Sequence, residues 1–116
     1  MTIFLFGRKL KDENELHYVR QVFEFMTNQK IEVGVYKSFL KELQILGLKP
    51  EGIKIIATKK ELLALSPKVA ITMGGDGTIL QAAAFIQDCK IPVLGINLGR
   101  LGFLASLDKN HILKAL

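Results

Sequence analysis

The sequence Gly-Gly-Asp-Gly-Thr at positions 74–78 combines the residue types of a phosphate-binding turn with a carboxylate. It follows an apolar stretch and precedes a helix-forming one, so it is predicted to join a strand to a helix. Gly74, Gly75 and Gly77 lack the Cβ atoms that would keep an anion from the backbone, and they permit positive φ angles. The free N–H groups of the following helix would then bind phosphate. Asp76 would repel a phosphate, so its carboxylate is expected to accept a hydrogen bond from a substrate hydroxyl, to assist its deprotonation, or to hold a metal ion that bridges phosphates.

A purely structural interpretation of this turn is also open. Asp76 can be no more than the N-cap of the helix, and Thr78 can cap the helix, contact a phosphate, or do both. The common nucleotide-binding motifs do not apply. G-x-x-x-x-G-K-[ST] is absent, and Leu80 stands where G-x-G-x-x-G requires its third glycine. The turn is therefore neither a P-loop nor a dehydrogenase-type dinucleotide turn.

A second glycine-punctuated stretch runs from Gly95 to Leu104. Its glycines indicate a loop whose backbone closely approaches another group. Asn97 supplies an amide in this loop, Arg100 a planar set of donors that suits phosphate, and Phe103 an apolar surface that suits a nucleotide base. The alternative is that Phe103 fills the core and that Arg100 is solvated.

Four further residues are weaker candidates. Arg8 ends the first predicted strand on the same edge of the sheet, where it either faces phosphates or belongs to a solvated loop. His17 and His111 have no Cys or carboxylate at ligand spacing, so we expect surface histidines and no metal site. Cys89 is the only cysteine, and we expect a small buried apolar residue rather than a nucleophile.

The elements that must position these residues are apolar strands alternating with helices. Nearly continuous apolar strands are typical of a parallel sheet that is covered on both faces. We therefore predict an α/β fold, a Rossmann-like open parallel sheet with helices on both faces. The predicted strands cover residues 3–6, 31–35, 53–57, 69–73 and 91–96.

Capping residues predict where the helices begin and end. Capping boxes are expected at Asp12 with Glu15 and at Thr58 with Glu61, because each pair has the three-residue spacing of that motif. Ser38 is the expected N-cap of another helix, which ends at a left-handed Gly47. The helix after the glycine turn is predicted to run from Ile79 to about Asp88, and an amphipathic pattern begins near Asp108.

Length and composition exclude several classes of protein. The chain has 116 residues, of which 49% are apolar and 23% charged, with a formal net charge of +5. A single cysteine excludes an internal disulfide scaffold, and no apolar run reaches the roughly 18 residues of a membrane span. The basic residues are spread along the chain, which argues against a nucleic-acid-binding patch. Nothing marks a signal for export, so the expected location is the cytoplasm.

The two motifs, in this order, resemble those of the NAD kinases, which phosphorylate the 2′-hydroxyl of the adenosine ribose of NAD. The resemblance rests on Gly-Gly-Asp-Gly-Thr-Ile-Leu at 74–80 and on Gly-Ile-Asn-Leu-Gly-Arg-Leu-Gly-Phe-Leu at 95–104. Diacylglycerol and sphingosine kinases share the first motif but usually continue it with a polar pair. The second motif is more specific. A lipid kinase domain and a non-catalytic nucleotide-binding module are the alternatives.

The resemblance implies roles for individual residues. Asp76 would be the catalytic aspartate that contacts the ribose hydroxyls. Gly75 and Gly77 would let NAD or the donor phosphates approach the backbone, and Leu80 and Phe103 would line the adenine pocket. The other nucleotide-binding positions are Gly74, Thr78 and Asn97. Arg100 falls at a variable position of the family and is not among the implied catalytic residues.

The resemblance also implies substrates and a domain organisation. NAD would be the acceptor, and ATP with Mg²⁺, or polyphosphate, the phosphoryl donor. Residues 1–106 would form the N-terminal α/β domain, and residues 107–116 would begin the connection to a β-rich C-terminal domain that these residues do not include. Full-length members would form dimers or tetramers, with no nucleic-acid or membrane partner. Because the active site lies between the two domains, we expect residues 1–116 alone to be inactive.

Overall fold

The computed structural model describes residues 1–99 of the chain. Nine regular elements alternate along these residues, beginning and ending with a strand. The strands are β1 (Thr2–Gly7), β2 (Glu32–Tyr36), β3 (Lys54–Ile56), β4 (Val69–Gly74) and β5 (Val93–Asn97). The helices are α1 (Glu13–Asn28), α2 (Lys37–Ile45), α3 (Lys59–Leu65) and α4 (Asp76–Ile86).

The five strands form one parallel sheet in the order β3-β2-β1-β4-β5. This is the strand order of a Rossmann-like sheet, so the predicted fold class is confirmed. The chain winds outwards from β1 to β3 and then returns to place β4 on the other side of β1. The switch point therefore lies between β1 and β4, where ligands bind outside the carboxyl ends of the strands.

Helices cover both faces of this sheet because neighbouring strand residues point to opposite sides. One apolar cluster joins Ile3, Leu5 and Ile71 to the buried faces of α1 and α2. A second cluster joins Phe4 and Phe6 to α3 and α4. Both faces of β1 and β4 are therefore buried, which accounts for their continuous apolar sequences.

Two helix starts show how well local sequence predicts caps. The predicted box at Thr58 is complete, because its side chain accepts from the Glu61 N–H at 3.1 Å while Glu61 accepts from the Thr58 N–H at 3.0 Å. At α1, Asp12 accepts from the Glu15 N–H at 2.9 Å. The carboxylate of Glu15 does not return to Asp12, however, because it bonds Arg8 and the Lys11 N–H instead. The second box is therefore only half formed.

Several boundaries differ from their predictions by one to three residues, and three of these differences bear on caps or on the site. The N-cap of α2 is Tyr36 rather than Ser38, and its side chain makes no capping bond. The helix after the glycine turn starts at Asp76, three residues before Ile79, because extended Gly75 acts as its N-cap. Strand β5 starts at Val93, after the proline that lacks an N–H for the ladder. Gly47, with φ +90°, lies just after α2 in the predicted left-handed conformation.

No helix within residues 1–99 is long and apolar enough to cross a bilayer.

Candidate functional site

The glycine turn lies at the switch point of the sheet. Strand β4 ends at Gly74, beside the end of β1, where Gly7 pairs with Met73. The N–H of Arg8 donates to the Met73 carbonyl at 3.1 Å and extends this pairing by one residue. Parallel register also places Asn97, the last residue of β5, opposite Gly74. The fold thus brings together the ends of β1, β4 and β5, as the two sequence motifs require.

Helix α4 begins inside the turn. The Gly75 carbonyl accepts from the N–H groups of Thr78 and Ile79, at 3.1 and 3.2 Å. The N-cap residue is Gly75, which has no side chain with which to cap the first turn. The first N–H groups of a helix have no intrahelical acceptors, and the helix dipole makes this end positive. The start of α4 can therefore accept an anion from the carboxyl edge of the sheet.

The three glycines of the turn have different surroundings. A Cβ at Gly74 would overlap Thr78 Oγ1 and would lie 3.0 Å from the Cγ atom of Arg8. A Cβ at Gly75 or Gly77 would have no described atom within 4 Å. Gly74 is therefore required by packing inside the protein, whereas Gly75 and Gly77 leave space at the surface. The freedom of these glycines to adopt positive φ angles is not used, because none of the three has one.

Asp76 is the first residue of α4 and is exposed. The N-cap interpretation of Asp76 is wrong, because Gly75 occupies that position and Asp76 is already the first helical residue. Among the described residues, the carboxylate of Asp76 makes neither a hydrogen bond nor an ion pair. It is thus free to accept a hydrogen bond from a hydroxyl group brought to this edge.

Thr78 and Leu80 occupy opposite environments on α4. Thr78 is buried, and its hydroxyl lies against the Cα of Gly74. It does not cap the helix, so that interpretation is wrong, and a contact with phosphate stays a prediction. Leu80 is 70% exposed, although leucine is ordinarily buried. An apolar side chain this exposed near the turn is available to contact a bound base.

The second motif is described only in part. Asn97 is exposed, and its Oδ1 accepts from the Gly99 N–H at 2.9 Å, which closes a short turn after β5. A Cβ at Gly95 would lie 2.7 Å from Ile79 Cδ1, so this glycine permits α4 to pack closely against β5. The predicted roles of Arg100 and Phe103 and the predicted boundary at residues 106 and 107 lie outside the described residues, as does His111.

Arg8 and Glu15 form an ion pair that sequence reasoning missed. Arg8 Nη1 and Nη2 donate to the two carboxylate oxygens of Glu15, each at 2.9 Å, and Nη1 also donates to the Lys9 carbonyl at 2.7 Å. The Lys11 N–H donates to the same carboxylate at 2.8 Å. The hydrogen bonds from Arg8, followed by the one from Lys11, hold the pKa of Glu15 below its ordinary value despite burial.

This pair replaces both sequence-based interpretations of Arg8. The residue neither points freely at a ligand nor lies in a solvated loop, since only 22% of its side chain is exposed. The signal that could have revealed it is the burial predicted for residues near Leu16 on the apolar side of α1. Glu15 lies four residues before Val19 and seven before Val22, so it shares their face of α1 and its carboxylate needs a partner there.

Two of the weaker candidates from the sequence, His17 and Cys89, also lie within the described residues. His17 is exposed, as expected. Cys89 is half-buried against the second apolar cluster, so its predicted burial is only partial. Within residues 1–99, no three His, Cys, Asp or Glu side chains are grouped closely enough to hold a metal ion.

Comparison with known protein families shows which family the chain belongs to. The family model of the ATP-NAD kinase N-terminal domain matches residues 3–116. The chain belongs to the NAD kinase family. This match agrees with the resemblance in the two glycine motifs and favours it over the lipid kinase alternative.

Curated NAD kinases from distant organisms are similar to this chain. The NAD kinase of Flavobacterium johnsoniae is 36% identical over 112 residues, which cover 97% of this chain and 37% of the relative. The NAD kinase of Methanothermobacter thermautotrophicus is 34% identical over 96 residues, which cover 83% of this chain and 31% of the relative. The NAD kinase of Rhodococcus opacus is 53% identical over 53 residues, which cover 46% of this chain and 17% of the relative. The chain thus spans about a third of the length of the first two relatives.

A solved structure supports the fold. Yeast NADH kinase, crystallised with NADH, superposes with a TM-score of 0.60 at 22% identity, covering 99% of this chain and 36% of the yeast protein. At this identity the superposition shows a shared fold, in agreement with the five-stranded parallel sheet of this chain.

Proposed function

We propose that this chain provides the N-terminal domain of an NAD kinase, which transfers a phosphoryl group from ATP or polyphosphate to the 2′-hydroxyl of the adenosine ribose of NAD. One observation carries the proposal: Asp76, exposed and without a hydrogen-bonding partner in the described residues, follows an open glycine at the switch point of the sheet. Family membership gives this geometry its substrate class. Because the chain spans about a third of the length of these relatives, the activity is proposed for a full-length protein rather than for residues 1–116 alone.

Asp76 is proposed as the catalytic residue. It accepts a hydrogen bond from the ribose 2′-hydroxyl and takes its proton as the oxygen attacks the terminal phosphorus of the donor. The bond from that phosphorus to the leaving phosphate oxygen breaks in the same displacement. Most of the acceleration comes from holding the hydroxyl in line with the donor.

The neighbouring residues are proposed to bind the nucleotides. Gly75 and Gly77 face open space and let phosphate or ribose oxygens approach the start of α4. Leu80, which is exposed, and Phe103 would line the adenine pocket. The supporting positions are Gly74, Thr78 and Asn97, which meet at the ends of β4 and β5.

Magnesium fits this site as a companion of the donor. Mg²⁺ usually binds through one or two carboxylates together with substrate phosphates rather than in a cage built by the protein. Asp76 offers one carboxylate beside a phosphate-binding helix start, which suits that donor set. When bound, the ion neutralises charge on the transferring phosphoryl group.

The longer protein is proposed to work as the family does. A β-rich C-terminal domain would complete the site from the other side, and full-length chains would assemble into dimers or tetramers. The protein would act in the cytoplasm without a nucleic-acid or membrane partner.

Replacing the catalytic carboxylate in the full-length protein tests the proposal. Asp76→Asn keeps the size of the side chain and removes the base, so we expect NADP formation to fall by about a hundredfold or more. Glu32→Asn, an exposed residue at the opposite end of the sheet, is the control and should retain the starting rate. Unchanged turnover in Asp76→Asn would refute the role of Asp76. NAD binding without turnover in the unaltered protein would instead favour a non-catalytic nucleotide-binding module.

A further inference from the structure

One residue, Arg8, links the end of β1 to both the glycine turn and the first turn of α1. Its backbone N–H bonds the Met73 carbonyl, and its Cγ lies against Gly74. Its guanidinium extends to Glu15 on α1. We propose that Arg8, held by Glu15, is a positioning residue that fixes where the turn at 74–78 presents its N–H groups and Asp76. Its bearing on catalysis rests on the proposed function.

The contact with Gly74 is close. A Cβ on this glycine would lie 3.0 Å from Arg8 Cγ and would overlap Thr78 Oγ1. The Cα of Gly74 is therefore enclosed between Arg8 on one side and the first turn of α4 on the other. A displacement of Arg8 would open space beside Gly74, which lies one residue before Gly75 and two before Asp76.

Glu15 determines the position of the Arg8 side chain. Two parallel hydrogen bonds of 2.9 Å join the guanidinium to the carboxylate, a bidentate arrangement that fixes both distance and orientation. The carboxylate is itself fixed, because it is 7% exposed and accepts from the Lys11 N–H at 2.8 Å. The side chain of Arg8 is therefore not free to change rotamer without breaking several charged hydrogen bonds.

The hydrogen bonds of the Glu15 carboxylate go to Arg8 and Lys11, and none goes to the described residues of the turn. Among the described hydrogen bonds, the route from Glu15 to residues 74–78 therefore runs through Arg8. If Arg8 positions the turn, a change at Glu15 therefore alters residues 74–78. If the pair only holds α1 against β1, a change at Glu15 leaves those residues unaltered.

The chain offers a matched control. Lys54 and Glu32 also form an ion pair, at 2.8 Å, but their side chains are 64% and 47% exposed. This pair lies between β2 and β3, away from the glycine turn. Glu15→Gln and Glu32→Gln remove the same charge by the same isosteric change.

The test compares amide spectra of ¹⁵N-labelled residues 1–116 in the unaltered chain and the two variants, at a temperature where all are folded. If Arg8 positions the turn, Glu15→Gln shifts the Gly75, Asp76 and Gly77 amide resonances several times more than Glu32→Gln does. Arg8→Lys, which keeps the Cγ and the charge, should shift them less than Arg8→Ala. Shifts confined to residues near 8–16 in Glu15→Gln would overturn the proposal. If Glu15→Gln fails to fold, the same comparison of Arg8→Lys with Arg8→Ala decides the question.

Addition of MgADP distinguishes this proposal from the proposed function. If the turn binds nucleotide, MgADP shifts the same amides in the unaltered chain, and Glu15→Gln weakens that binding several-fold. Absence of any MgADP shift in the unaltered chain counts against nucleotide binding by this domain alone. It does not alter the ligand-free comparison, which tests the positioning role.

Discussion

Adjacent glycines in the turn at 74–78 have different physical roles. Gly74 is enclosed by Thr78 and Arg8, whereas the Cα of Gly75 faces open space with φ −125°. The first glycine serves internal packing, and the second serves access to the helix start. Residue type alone does not separate these roles, because both are simply glycine in a turn.

This difference predicts that one added methyl group changes the free energy of unfolding much more at Gly74 than at Gly75. Gly74→Ala forces Thr78 and Arg8 apart, and overpacking of this kind costs about 1–3 kcal/mol. Gly75→Ala meets no described atom within 4 Å and has an allowed φ, so we expect its stability to change by less than about 0.5 kcal/mol. Urea unfolding of residues 1–116 measures both changes. Equal destabilisation by the two substitutions would contradict the assignment of Gly74 to packing.

At the scale of the elements, the Arg8–Glu15 pair ties the start of α1 to the end of β1. Its strength should depend on pH, since hydrogen bonds from Arg8 and Lys11 lower the pKa of Glu15. A carboxyl group whose pKa is lower in the folded state stabilises the fold above its unfolded pKa, about 4.3, and loses that stabilisation as the pH falls through its folded pKa.

The expected result is a pH-dependent difference between two proteins. At pH 7, Glu15→Gln should lower the free energy of unfolding by about 1–3 kcal/mol, the usual contribution of hydrogen bonds to charged groups. The difference from the unaltered chain should shrink as the pH falls below about 4, because protonated Glu15 then resembles glutamine. Denaturant unfolding at several pH values measures it. A difference that stays constant from pH 7 to the acid limit would contradict this account.

The elements themselves were predictable from the sequence, because apolar runs and capping spacings are local signals. Strands β1 and β4 and the box at Thr58 follow from such signals. The start of α4 did not, because nothing local shows that Gly75 rather than a later residue acts as the cap. The pairing of Glu15 with Arg8 was also missed, since a capping-box position already explained that glutamate and the competing partner lies on another element.

At the scale of the whole molecule, the described residues supply one wall of a site. The turn, Leu80 and Asn97 all lie at the carboxyl edge of the sheet or on the helix that starts there. The order of the two motifs was enough to indicate, from the sequence, the class of reaction that is proposed above. We propose that the groups that close the site from the other side lie in the additional length of the relatives, since this chain covers 37% of the Flavobacterium johnsoniae protein.

Residues 1–116 alone should therefore fold but not catalyse. The two apolar clusters enclose β1 and β4 on both faces, so we expect a single cooperative unfolding transition by circular dichroism. NADP formation from NAD and MgATP should be undetectable, while the full-length protein is active under the same conditions. Measurable turnover by residues 1–116 would show that the second wall is dispensable.

The central position of β1 also has a consequence for the order of folding during synthesis. Its first residues pair with β2 at Glu32 and Val33, but their other partners begin only at Val69 in β4. Since chains emerge from the ribosome N-terminus first, at about 5–20 residues per second, one edge of this apolar strand stays unpaired for several seconds. An unpaired strand edge promotes aggregation, so the nascent chain is exposed to it in that interval. When β4 pairs with β1, it covers this edge and also brings the glycine turn to its place beside the end of β1.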